Sequence, residues 1–177
     1  MRFRDRAGGV EQRIAVSGFW KILDDLNRAG VRYVLIGGIA LIRHGVVRAT
    51  RDVDVVLAPE LDNLERLRAL IIQWPATRPD GSAVPHDSIA RGRTIHLSTP
   101  HGELDLLAER PPPLSFAELS ARADTRRVDG VETPICSLAD LVALKRIAGR
   151  ERDLVDLHEL EAAHGELPDS RLDTSGS

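Results

Sequence analysis

Asp52 and Asp54, flanking Val53, and Asp105 in a later Leu-Asp-Leu run have the residue types and spacing that can do chemistry. In Asp-Val-Asp both carboxylates fall on one face of a strand, because strand side chains alternate with period 2. Their Cα atoms then lie roughly 6.5 Å apart, so the carboxylates can converge on a hard cation such as Mg²⁺. Two like charges held this close raise a pKa unless a cation compensates them. In Gly102-Glu-Leu-Asp-Leu-Leu107, Leu104 and Leu106 face inward, whereas Glu103 and Asp105 face outward. Three carboxylates are about what a two-metal site needs once substrate phosphates and water complete the coordination. A half-exposed acidic strand and a solvated hairpin fit the same letters.

Upstream, an apolar run ends in Gly37-Gly38 ahead of a helix-capable segment. That order presents backbone N–H groups to phosphate, although a glycine pair alone also describes any strand-to-helix turn. Arg43, Arg48 and Arg51 crowd the stretch before the aspartates. Lys145, Arg150, Arg152, Asp153 and Asp156 lie together in LVALKRIAGRERDLVDLHEL. Cations there can reach a triphosphate and stabilise its developing charge; ion pairs at i,i+3 and i,i+4 explain the same spacing. A phosphate cradle beside a metal site reads as phosphoryl or nucleotidyl transfer. The six histidines have no ligand spacing and read as surface or helix-end residues. G-x-S-x-G, G-x-x-x-x-G-K-[ST] and G-x-G-x-x-G are all absent, which excludes the elbow hydrolase, P-loop and Rossmann readings.

The elements that must position these residues follow from periodicity. Val16, Phe19, Trp20, Leu23 and Leu26 predict a helix closed by Gly30. Val31–Ile36 and Asp52–Leu57 predict strands, with a short helix from Gly38 to about His44 between them. Leu61, Leu64, Leu67, Leu70 and Ile71 mark the next helix, and 74–92 reads as a loop. Short strands at 94–98 and 103–107 form a hairpin through Thr99-Pro-His-Gly102, and the Asp105 strand must lie beside the Asp52–Asp54 strand if the site is to close. A helix at 116–122 and two strands joined at Asp129-Gly130 follow. Ser137-Leu-Ala-Asp opens a helix to about Ala148, and a last helix covers 150–163. Leu138, Leu141, Val142, Leu144, Leu154, Leu157 and Leu160 are expected in the core, and 167–177 as a tail without core residues.

Interleaved strands and helices place the chain in the α/β or α+β class, with a mixed sheet flanked by helices. The 177 residues, 42% hydrophobic, predict one domain at 14–165 between flexible termini, 1–13 and 166–177. Net charge −3 supplies no global field for nucleic acid. A single cysteine, Cys136, rules out an intrachain disulfide framework and reads as a buried structural thiol. No signal-peptide core or membrane-length apolar run is present, which predicts a cytoplasmic protein that engages no membrane.

Taken together, G-G-x13-D-V-D, the later apolar-Asp-apolar strand and the Lys…Arg-Asp-x-x-Asp-Leu segment resemble the DNA-polymerase-β-like nucleotidyltransferase superfamily. The wording I-G-G-x-A…H-G…R-x-T-x-D-x-D is similar to the branch related to type IV toxin–antitoxin nucleotidyltransferase toxins. The resemblance, over roughly Val31 to Leu160, implies Gly37 and Gly38 against an NTP. It also implies Asp52 and Asp54 as the metal pair and Asp105 as the carboxylate that helps to activate an acceptor hydroxyl. Lys145 corresponds to a lysine near the nucleotide and Asp153 to an acidic residue of the final helix, with Arg51 and Arg152 as nearby cations. Many superfamily members carry Ser at the second position of the glycine pair, where this chain has Gly38. The expected activity is Mg²⁺-dependent transfer of NMP, with two ions, from an NTP to a hydroxyl of RNA, protein or a small molecule. An antitoxin-like protein is the expected partner. The alternative is a binding module of the same fold with weak or no catalysis, acting through a protein partner.

Overall fold

Strand β1 (Tyr33–Ile36) is buried at every position, which is why its sequence is continuously apolar rather than alternating. It is an inner strand of a six-stranded sheet in a computed structural model that describes residues 18–50, 52–84, 93–107 and 114–168. The other strands are β2 (Asp52–Leu57), β3 (Ile95–Thr99), β4 (Gly102–Leu107), β5 (Asp124–Val128) and β6 (Val131–Ile135). Their spatial order is β3-β4-β2-β1-β6-β5. β1 runs antiparallel to β2 and parallel to β6, whereas β2 and β4 are parallel; β3·β4 and β5·β6 are antiparallel hairpins. The mixed sheet and its flanking helices are the expected α/β architecture. The strand carrying Asp105 does lie beside the strand carrying Asp52 and Asp54.

Six helices are present among the described residues: α1 (Phe19–Arg28), α2 (Gly37–Arg43), α3 (Leu61–Gln73), α4 (Phe116–Arg122), α5 (Leu138–Ala148) and α6 (Glu151–His164). The inward stripe of α1 is Phe19, Ile22, Leu23 and Leu26; of the expected residues Trp20 is exposed instead, with Ile22 turned inward, and Val16 lies outside the described residues. In α3 the expected stripe begins two residues late. Leu61 is exposed and Asn63 is fully buried instead. The Asn63 amide accepts from the Arg32 N–H (2.6 Å) and donates to the carbonyls of Arg32 (3.0 Å) and Ala58 (2.9 Å). A polar residue takes a core position because it satisfies backbone groups there.

The expected core residues of α5 are buried or packed on the core, but the last helix needs a larger correction. Leu154 is 61% exposed, not core, while Asp153 and Asp156 are buried with Leu160. Positions 153, 156 and 160 still follow a helical stripe, so the periodicity is right and its chemistry is charged. The 74–92 loop is described up to Val84, and within it Thr77 forms an isolated antiparallel bridge with Ser98. The tail is tied at its start: Leu167 packs against the core and Arg146 Nη1 donates to the Pro168 carbonyl (2.9 Å). The remaining tail residues and 1–13 lie outside the described residues. Among the described residues no helix is long and apolar enough to cross a membrane. Cys136 is buried, and burial first, with Asp140 nearby, pushes its thiol up to about 12, so it is an inert packing residue.

Candidate active site

Register brings the carboxylates together. In the parallel β2·β4 pair Asp54 stands opposite Asp105, and Asp52 opposite Glu103, so these side chains share one face of the sheet. One oxygen from each of Asp52, Asp54 and Asp105 lies within 4.8 Å of the others, and all three side chains are partly buried. Val53, Val55, Leu104 and Leu106 point to the other face and are buried. Alternation thus divides each strand between core and chemistry.

The Asp54 carboxyl is pushed up to about 6. Burial is the main cause, and the neighbouring Asp52 and Asp105 add to it; the Gly38 N–H and the Lys145 ammonium act in the opposite direction. All three donors are hard oxygens, and a cation between them would remove the repulsion that raises Asp54. The trio therefore fits a divalent ion such as Mg²⁺.

Gly37 and Gly38 are dictated by this crowding. β1 ends at Ile36, directly opposite Asp54, so the turn into α2 folds over that carboxylate. Gly37 adopts φ +66°, and a Cβ there would lie 1.9 Å from Asp54 Oδ2. The Gly38 N–H donates a long bond, 3.4 Å, to the same oxygen. A Cβ on Gly38 would lie 2.4 Å from Thr50 Oγ1. The Thr50 hydroxyl occupies the space that a serine at position 38 would need, and it donates to Asp52 Oδ1 at 3.3 Å.

The facing wall is cationic. Gly149, in the left-handed conformation at φ +58°, ends α5, and α6 starts two residues later. This tight corner sets Lys145 against Asp153 (2.9 Å) and Asp156 (2.6 Å). Asp153 also accepts from Arg150 Nε (2.8 Å), and Asp156 pairs with Arg48. Asp153 is fully buried, which by itself raises its pKa; its bonds to Lys145 and Arg150 prevail and hold the carboxyl down at about 2. Arg48, Lys145, Arg150 and Arg152 line one cleft with Ile36, Gly37, Gly38, Thr50, Asp52 and Asp54. Its volume is about 130 Å³. Four cations against two carboxylates leave this wall net positive. Opposite it stand Asp52 and Asp54, with Asp105 completing the trio from the β4 side.

Of the residues singled out in the sequence, Gly37, Gly38, Asp52, Asp54, Lys145, Arg152 and Asp153 line this cleft, and Asp105 stands beside it. Arg51 lies outside the described residues. Arg48, Arg150 and Asp156, noted in the sequence for their charge, also line the cleft, and Thr50 joins it without having been singled out. The signal for Arg48, Thr50 and Asp156 was present in the R-x-T-x-D-x-D and D-x-x-D spacings. His96 lies at the surface as expected, yet it also has a partner in the trio. It stands in β3 opposite Asp105, and its Nδ1 is 2.8 Å from Asp105 Oδ1.

The fold has solved counterparts. An antigenic nucleotidyltransferase-like protein from Paracoccidioides brasiliensis superposes with a TM-score of 0.57 at 16% identity, over 81% of this chain and 72% of that one. The lincosamide antibiotic adenylyltransferase LnuA, in its lincomycin-bound form, gives 0.57 at 16% identity over 82% and 96%. ANT(2'')-Ia in complex with adenylyl-2''-tobramycin gives 0.54 at 13% identity over 83% and 87%. At such identities the likeness is one of fold. No curated protein sequence matches the chain. Residues 21–174 match the family described as the nucleotidyl transferase AbiEii toxin of type IV toxin–antitoxin systems. With that match over most of its length, the chain belongs to the AbiEii nucleotidyltransferase family and is a nucleotidyltransferase.

Proposed function

We propose that this nucleotidyltransferase moves a nucleoside monophosphate from an NTP to a hydroxyl group of RNA, protein or a small molecule, in a Mg²⁺-dependent reaction. The observation that carries the reading is the opposition of two walls in one cleft. Asp52 and Asp54, joined by Asp105 from the next strand, face Arg48, Lys145, Arg150 and Arg152. A triphosphate needs both: cations for its charge, and carboxylates to hold the ions that accompany it. Bound by Asp52, Asp54 and Asp105, Mg²⁺ would supply electrophilic stabilisation of the transferring phosphoryl group.

The chain's own residues then have distinct tasks. The Gly37-Gly38 backbone lies against the triphosphate, where only glycine leaves room. Lys145 is fixed by Asp153 and Asp156 and sets the positive potential of the wall. Arg152 and Arg150, at its rim, stabilise the charge that builds on the leaving pyrophosphate. Asp105 receives the proton of the acceptor hydroxyl as its oxygen bonds to the α-phosphorus and the bond to the β-phosphate oxygen breaks. The family name supports a toxin role, with a cognate antitoxin as the partner.

Calorimetric titration of the four NTPs with Mg²⁺, on wild type and on an Asp52→Ala/Asp54→Ala variant, tests this. One NTP is expected to bind only with metal, and binding is expected to disappear in the folded variant. Transfer activity with that NTP should fall on the order of 10³-fold in Asp54→Ala. Absence of NTP binding to folded wild type would replace catalysis with the binding-module reading.

A further inference from the structure

We infer that His96 is a positioning residue that presets the Asp105 carboxylate for metal binding. The inference rests on the reading of Asp52, Asp54 and Asp105 as the metal-binding trio.

Asp52 and Asp54 are both held from within the cleft. Thr50 Oγ1 donates to Asp52, and the Gly38 N–H donates to Asp54. Asp105 enters the site from β4, away from both of those donors. The antiparallel register of β3 with β4 places His96 directly across from it. Cross-strand neighbours on one face have Cβ atoms within roughly 5.5 Å, close enough for an imidazole to span. Nδ1 of His96 lies 2.8 Å from Oδ1 of Asp105, within the range of a strong hydrogen bond.

The bond has a directional consequence. An ionised carboxylate only accepts, so the Nδ1–H of His96 donates to Oδ1. That fixes the carboxylate plane and leaves Oδ2 free of this donor. The same device recurs one step along the hairpin, where Ser98 Oγ donates to Glu103 Oε1 at 2.8 Å. Both outward carboxylates of β4 therefore have a dedicated donor on β3. Ser98 steadies a carboxylate outside the trio, and His96 steadies the one that belongs to it. The His96 side chain is otherwise 60% exposed, so it contributes little to the core and its place in the sheet is free to serve this contact. Donors that orient a ligating carboxylate typically change metal affinity or activity by about 10–100-fold when removed.

The test uses Mn²⁺ alone as the probe, with free Mn²⁺ followed by EPR, on wild type, His96→Ala, His96→Asn, Asp105→Ala and His96→Ala/Asp105→Ala. Asn places a donor nitrogen near the position of Nδ1. His96→Ala is expected to weaken Mn²⁺ binding by about 10-fold, and His96→Asn to restore most of it. Asp105→Ala should weaken binding at least as much, and adding His96→Ala to it should cost nothing more, because a residue acting through Asp105 has nothing left to act on. Circular dichroism checks that each variant is folded. Unchanged binding in His96→Ala overturns the inference while leaving the metal site standing. So does equal weakening in His96→Ala and His96→Asn, or additive losses in the double variant. If wild type binds no Mn²⁺, the metal reading falls and this inference falls with it.

Discussion

Asp54 is the residue on which the demands of folding and of chemistry pull apart. It is pressed between a glycine turn and two other carboxylates, and its proton is held to about pH 6, against 3.8 for an ordinary aspartate. Between those values the folded state binds more protons than the unfolded chain. Stability of the metal-free protein therefore falls as pH rises from about 4 to about 6, and the penalty is complete above that window. Its ceiling is about 3 kcal/mol, and solvent at this partly exposed site brings the expected value to roughly 1–2 kcal/mol. Asp54→Asn keeps the shape, and its amide oxygen can still accept from the Gly38 N–H. In EDTA, the variant is expected to be more stable than wild type by that amount above pH 6, with the gain vanishing toward pH 4. Urea unfolding across this range checks it, and a less stable variant at pH 8 would contradict the account. A carboxylate that destabilises the fold when no cation is bound is what the proposed metal-binding role would trade for function.

At the scale of elements, the α5–α6 corner is held by charge where a helical pair is ordinarily held by leucines. Asp153 is fully buried, with Lys145, Arg150 Nε and the Arg150 backbone N–H around it. Asp153→Ala leaves Lys145 with Asp156 alone, and breaking a buried pair costs about 3–5 kcal/mol. The lower end is expected here, read by urea denaturation. Because the folded carboxyl titrates at about 2 rather than 3.8, its contribution is present above pH 4 and is lost as pH falls toward 2. The Asp153→Ala variant should lack that part of the acid profile. This corner also separates what was legible in the sequence from what was not. The start of α5 was readable because Ser137 caps it and accepts from the Asp140 N–H. β2 was readable because alternation of Asp and Val leaves one register. In α6 the inward stripe has the right period, yet a rule that turns apolar residues inward placed Leu154 where Asp153 belongs. The partner that makes a buried aspartate favourable, Lys145, sits on another helix, and no local pattern displays it. His96 was illegible for a similar reason. Its meaning depends on facing Asp105 across a hairpin, and one residue of slip would turn it to the other face.

Across the whole molecule, β1 is the divider that makes the cleft. On one side of it β2 and β4 deliver the carboxylates; on the other β6 leads into α5 and α6, which deliver most of the cations. The turn at the end of β1, Gly37-Gly38, forms the floor between them. Residues from positions 37 to 156 thus meet only in the folded chain, so the proposed NTP and metal, bridging both walls, would bind the native state and not the unfolded one. At about 100 times the dissociation constant such binding adds about 2.7 kcal/mol. For a chain of this size that is a rise in Tm of roughly 5–10 °C. The rise is expected with Mg²⁺ and the preferred NTP together, to be reversed by EDTA, and to be absent in Asp52→Ala/Asp54→Ala. It should also shrink below pH 6, where a proton on Asp54 competes with the cation. A shift of equal size without metal would place the nucleotide on the cationic wall alone and separate triphosphate binding from the carboxylates.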